Sequence, residues 1–169
     1  MHSKERVLDT LTQLHIPYVL MEHGPVHTIE DCLSIPDAQQ NGAVIPRNAF
    51  LCNRQQTQFY LMLMQPHMPF RTAVVSKQLE VSRLSFAPEA MLPELLGLHK
   101  GAVSPLGLLF DTRQRVRLVI DKALLQVREL IFHPCVNTAS IRIAKDDFLS
   151  IFLPHTGHIP ALVDCGQEE

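Results

Sequence analysis

Histidine can ligate metals or move protons near neutral pH, and this 169-residue chain carries nine, two of them close together in His155-Thr-Gly-His158. Two histidines three apart beside a glycine make no zinc site without carboxylate or thiolate partners at usable spacing. No His-Glu-x-x-His or Cys-x-x-Cys pattern supplies them. No metal and no cofactor is expected. The two glycine patterns that cradle nucleotide phosphates, Gly-x-x-x-x-Gly-Lys-Ser/Thr and Gly-x-Gly-x-x-Gly, are absent. So is the Gly-x-Ser-x-Gly elbow of serine hydrolases. Cys135 lies two residues after His133, a spacing too weak by itself to define a thiol nucleophile.

Three segments remain: Arg47-Asn48, Gly101-Ala-Val-Ser-Pro105, and His133-Pro134 followed by Asn137-Thr138. Each has a plain structural reading. Asn48 can cap a strand, Gly101 and Pro105 can shape a turn, and His133 can be a satisfied core histidine. Arg47, Arg54, Arg71 and Arg83 can ring a pocket mouth. The alternate residues Arg113, Arg115 and Arg117 make a basic edge if extended, or a strand edge guarded from pairing by its charge.

The elements that must position these residues are legible from periodicity. Val7, Leu8, Leu11 and Leu14 mark one face of a helix from Ser3 to Leu14, and Tyr18 to Met21 reads as a short strand. Thr28-Ile-Glu-Asp31 opens a second helix, with an oxygen cap followed by an acid. Ala49 to Leu51, a polar turn at Arg54 to Gln56, and the continuous apolar run Phe59 to Met64 make a hairpin whose second strand is buried on both faces. A short helix covers Ala73 to Leu79, and Arg83 to Phe86 is extended. Pro88 starts a helix that ends at Gly97 with Pro93 inside it, and Gly101 to Gly107 is a loop. Strands follow at Val116 to Ile120 and Glu129 to His133, with a short turn or helix at Lys122 to Leu125 between them. Ser140 to Ile143 alternates as a half-buried strand, Asp146 to Leu153 is an amphipathic helix, and Ala161 to Val163 closes the chain as a strand. Strands and helices without regular alternation point to an α/β domain with a mixed sheet and helices outside it.

Composition narrows the function. Apolar residues make up 46% of the chain and charged residues 19%, ordinary for one globular domain. Fifteen basic and seventeen acidic side chains give a net charge of −2, so no global positive field exists to hold duplex DNA. No apolar stretch is long enough to cross a membrane, and the N-terminus lacks the apolar core of a signal peptide. Four widely spaced cysteines, Cys32, Cys52, Cys135 and Cys165, suggest no disulfide framework. A cytoplasmic location is expected.

The three segments fall in order within a longer pattern: His23-Gly-Pro-Val-His-Thr28, Arg47-Asn-Ala-Phe-Leu51, Arg83-Leu-Ser-Phe-Ala87, Leu95-Leu-Gly97, Gly101-Ala-Val-Ser-Pro105, His133-Pro-Cys-Val-Asn-Thr138 and Gly157-His158. On these segments the chain resembles the YbaK/prolyl-tRNA-synthetase-associated editing domain family, most closely its free-standing members that deacylate mischarged tRNA(Pro). The resemblance covers about residues 23–163 of a single domain taken as 1–169. It implies a mixed, mostly antiparallel sheet surrounded by helices, and a pocket for the aminoacyl ester at the acceptor end of a tRNA. Catalytic roles fall on Arg47, Asn48, Gly101 and His133. Substrate contacts fall on His27, Arg83, Ala102, Val103, Ser104, Pro105 and Asn137. The glycine loop would bring backbone amides to the ester carbonyl, His133 would position substrate, and the substrate's own ribose hydroxyl would help activate water. Mischarged tRNA is the implied partner and prolyl-tRNA synthetase a candidate one, with neither DNA nor membrane. Oligomeric state is not legible.

The chain departs from the family pattern at one key position. The family motif reads Lys-Asn-Leu-Phe-Leu, Arg47 replaces its lysine, and no lysine lies between Lys4 and Lys77. Arginine keeps the charge but is a planar fork that cannot give up its proton. Ala102 stands where many relatives have serine, and Cys52 where relatives often have a basic residue. The expected function is a trans-editing hydrolase that clears a small amino acid such as alanine from tRNA(Pro). The alternative is a weakened or inactive relative that keeps the fold and binds a tRNA end or another small aminoacyl ligand.

Overall fold

Phe59-Tyr-Leu-Met-Leu-Met64 offers no charged side chain to turn toward water, and as strand β4 (Phe59–Met64) it is buried at all six positions. The computed structural model, which describes residues 3–24, 42–99 and 101–166, shows what covers it. Strand β3 (Arg47–Cys52) pairs antiparallel with β4, Arg47 opposite Met64 and Cys52 opposite Phe59. Asn53 holds the turn between them, its Oδ1 accepting from the Thr57 and Gln58 amides at 2.8 and 3.0 Å. β6 (Val116–Asp121) lies parallel to β4, β9 (Ala161–Val163) parallel to β6, and β5 (Ser85–Phe86) antiparallel to β3. The order of this five-stranded sheet is β5-β3-β4-β6-β9.

A second sheet has the order β1-β8-β7-β2, built from β1 (Tyr18–Glu22), β8 (Ala139–Ala144), β7 (Glu129–Phe132) and β2 (Ala43–Val44). Only β2 joins it in parallel. The sequence reading of a mixed, mostly antiparallel α/β fold holds, with the strands divided between two sheets. Period-two alternation sorts the core. Phe59, Leu61 and Leu63 face inward with Phe50, against Leu130, Phe132, Ile141 and Ile143 of the second sheet and Val7 and Leu11 of helix α1 (Ser3–Gln13). Tyr60, Met62 and Met64 face the other way, onto Val75 of α2 (Thr72–Leu79) and Leu84. Each buried leucine or methionine stabilises by on the order of 2 kcal/mol, so the strands beneath the site are firmly held.

Several expectations need correction. The helix expected from Pro88 splits into a 3-10 turn (Glu89–Met91) and α3 (Leu92–Leu96), because Pro93 is tolerated only in a first turn. Gly97 ends α3 at φ +65°. The expected loop at Gly101 to Gly107 is half structured: a 3-10 turn (Pro105–Phe110) begins inside it, capped by the Ser104 hydroxyl. Ser140 to Ile143 is buried throughout rather than half-buried, since β8 sits between β1 and β7. The last helix extends further than expected and changes winding: α4 (Lys145–Asp147), a π segment (Phe148–Phe152) and α5 (Leu153–Thr156). Pro154 gives the reason, since it has no amide hydrogen for the preceding turn's carbonyl. The second helix expected from Thr28 lies outside the described residues, as do His27 and Cys32.

Candidate active site

Strand β7 ends at Phe132, and the next residue, His133, turns its ring toward the connection to β8. Its Nδ1–H donates to the Ala139 carbonyl at 3.0 Å. Burial pushes its pKa below the usual 6.5, the bond to Ala139 works the other way, and nearby His23 lowers it further. The neutral imidazole is therefore favoured. His23, just past β1, stands with its ring centroid 6.4 Å from that of His133. Its Nδ1–H donates to the Gly24 carbonyl at 2.7 Å, and its Nε2 lies 2.9 Å from the Ser140 hydroxyl. A backbone bond from the His23 amide to the Thr138 carbonyl, 3.0 Å, fixes the approach of the two strands.

Arg47 and Asn48 reach the same end of the molecule through register. β2 runs parallel to β7 with Val44 opposite Leu130. Three residues further along each chain stand Arg47, which opens β3 of the other sheet, and His133, just past the end of β7. Arg47 is exposed, whereas Asn48 is half-buried. The Asn48 Nδ2 makes a long bond to the Pro46 carbonyl, 3.4 Å, and its buried Oδ1 has no hydrogen-bond partner among the described residues. Beside the Arg47 end of the β3–β4 pair is a cavity of about 370 Å³ between Val44 and the loop Gln65 to Pro69.

In the glycine loop, Gly101 has φ +87°, a conformation that favours glycine. The Ala102 amide is spent on the His99 carbonyl at 3.1 Å, and Ala102 is buried. Ser104 is fully buried, and its hydroxyl accepts from the Leu106 amide at 3.1 Å, a structural cap. Pro105 is also buried, and Val103 packs on the cluster that contains Phe132 and Cys135. The amides of Val103 and Ser104 donate to no acceptor among the described residues.

Other residues stand apart or play other parts. The register of β5 against Cys52 puts Arg83 near the end of β3 opposite Arg47, roughly 17 Å along the strand. Asn137 is half-buried in the β7–β8 connection. Cys135 holds φ +65° there, and burial pushes its thiol up to about 12, so it is no thiolate nucleophile. His158 is buried and bonded to Asp111, and among the described residues no group of three histidine, cysteine or acidic side chains could hold a metal.

Sequence reasoning missed two features. The His23–Ser140 bond joins residues 117 apart, and the serine reads as an ordinary strand position. Asp111 and His158 form a buried pair 47 apart, for which the only signal was Gly157-His158 itself.

The class follows from comparison on this fold and site. The model of the aminoacyl-tRNA editing domain family matches residues 23–151, and the chain belongs to that family, in its YbaK/prolyl-tRNA-synthetase-associated group. Prolyl-tRNA editing protein ProX of Acetoanaerobium sticklandii is 34% identical over 89% of this chain and 91% of its own length. Prolyl-tRNA synthetase associated domain-containing protein 1 of Mus musculus is 31% identical over 91% of each. Among solved structures, hypothetical protein APE2540 matches with TM-score 0.71 at 15% identity, covering 94% of this chain and 98% of its own. A candidate trans-editing enzyme for prolyl tRNA synthetase matches with TM-score 0.67 at 21% identity, covering 96% of both. At such identities these two speak for the fold alone.

Proposed function

We propose that this protein is a trans-editing hydrolase that removes a small amino acid, such as alanine, from mischarged tRNA(Pro). The observation that carries the reading is the His133–His23–Ser140 cluster, which lies within the span matched by the editing family and includes His133, whose pKa burial lowers. The unused amide of Val103, which is partly exposed, is a donor of the kind an oxyanion requires, and removing one such donor typically costs 10²–10³ in rate. The orphaned Oδ1 of Asn48 suits a ribose hydroxyl or the substrate's ammonium, either of which would satisfy it. Arg47, exposed beside it, holds a terminal phosphate by charge. His133 positions the ester, and attack by water leans on the ribose hydroxyl, so no strong protein base is needed. Small substrates are selected by pocket size, the discrimination a synthetase finds hardest for apolar side chains.

The test is a deacylation panel with purified protein and tRNA(Pro) charged with alanine, serine, cysteine or proline. Alanine should be released fastest and proline spared. Inactivity on every member, with tRNA still bound, would select the inactive relative instead.

A further inference from the structure

Arg113-Gln-Arg115-Val-Arg117 has no part in the cluster above, yet the turn that carries it is anchored with unusual care. Asp111, 3% exposed, accepts from the Arg115 amide through Oδ1 at 2.9 Å and from the Val116 amide through Oδ2 at 2.8 Å. Its Oδ2 also lies 2.9 Å from Nε2 of His158, whose Nδ1 is 2.9 Å from the Thr156 hydroxyl. Burial alone would raise the Asp111 pKa, but these hydrogen bonds hold it below the usual 3.8. Gln114 adopts φ +54°, its amide bonds the Asp111 carbonyl at 3.0 Å, and its side chain fills the space where any Cβ at Gly157 would sit. A buried, fully satisfied hydrogen-bond network can fix one conformation. Here it fixes a turn whose tip, Thr112, Arg113 and Arg115, is exposed.

A cavity of about 230 Å³ opens beside that turn, walled by Glu94, Leu95 and Phe110 as well as by the turn itself. The Arg6 guanidinium lies 4.8 Å from the Phe110 ring centroid, a third cation beside the ring that lines the cavity. Of the two acids present, Asp111 is committed. Glu94 pairs with Arg115 at 3.2 Å with both side chains well exposed, an interaction that a phosphate can displace. In a chain of net charge −2 this cluster is a local exception. Its walls, α3 and the 3-10 turn, are the two elements joined by the Gly101–Pro105 loop.

We propose that the turn from Asp111 to Arg115 is a second nucleic-acid contact, a phosphodiester site that grips RNA backbone away from the aminoacyl end through Arg113, Arg115 and Arg6. The proposal rests on the reading of tRNA as substrate, and the two can fail separately. The experiment compares wild type with the double variant Arg113→Gln/Arg115→Gln, measuring affinity for uncharged tRNA(Pro) between about 50 and 200 mM salt. The variant should bind roughly tenfold more weakly at the low-salt end, with the log–log salt slope reduced by about 1–2. KM for alanyl-tRNA(Pro) should rise with kcat unchanged, while the alanyl ester of a terminal CCA trinucleotide is cleaved at the wild-type rate. The Arg113→Lys/Arg115→Lys variant should keep the slope. An unchanged slope and KM overturn the proposal even if wild type hydrolyses its substrate, and so does equal loss on the trinucleotide ester. Arginine-dependent tRNA binding by a wild type that hydrolyses nothing supports this contact and removes the hydrolase reading.

Discussion

Arg47 is where a single side chain decides most. It stands exposed at the start of β3, so its truncation touches no core and should change stability by no more than about 0.5 kcal/mol. If it holds the tRNA terminus by charge, Arg47→Ala abolishes deacylation in single-turnover assays with the fold intact. Arg47→Lys retains or raises the rate, because an ammonium is smaller and the pocket resembles one built around lysine. Robust hydrolysis by Arg47→Ala would remove this residue from the site. Arg47, Asn48 and His133 were legible because each belongs to a short contiguous motif. His23 stands in a motif too, but its partner does not. Nothing local in Ala139 to Ala144 marks Ser140 as anything but a strand residue, and the hydrogen bond depends on how β1 meets β8.

At the scale of elements, the glycine loop carries a left-handed conformation and, in the proposed reaction, an oxyanion donor. The φ of +87° at Gly101 means that Gly101→Ala strains the backbone by about 1 kcal/mol, besides placing a methyl where the proposed reaction brings the ester carbonyl. For a chain of this length that is a melting point lower by roughly 2–4 °C. Gly101→Asn tolerates the left-handed backbone better and should recover part of the stability while remaining slow in hydrolysis. Normal turnover by the asparagine variant would make the loop structural only. Helices and hairpin strands were legible where one periodicity dominated, as at Val7 and Leu11 or along Phe59 to Met64. The division into two sheets was not. A strand apolar at every position contains both period-two phases, so it does not announce what covers either face. The π segment escaped for a related reason: Phe148 and Phe152 fit an α-helical face, and the change of winding comes from Pro154 beyond them.

Taken as one cooperative unit, the molecule carries, among its described residues, two groups with lowered pKa values that respond to acid in separate ranges. His133 has a lowered pKa, so the unfolded chain binds its proton more readily. Its contribution to stability is complete above 6.5 and fades as pH falls through the folded-state value. Asp111 is also lowered, so its contribution is complete above 3.8 and fades on further acidification. Denaturant midpoints followed from about pH 8 to about pH 3 should fall in two stages, and His133→Gln should erase the upper one. A single acid transition that ignores this substitution would contradict the assignment.

The pairing of β1 with β8 also sets an order in time. The β3–β4 hairpin closes across a six-residue connection as soon as it is made. β1, by contrast, leaves the ribosome before β8 and finds its partner only when β8 follows, more than a hundred residues later. Closing so long a loop costs entropy before any contact rewards it, which makes this pairing a late event. His23, Ser140 and His133 therefore come together only once β8 has been made. Truncated products that already hold the Met-rich central strand still lack the imidazole pair, so the cluster itself certifies that synthesis has run past β8.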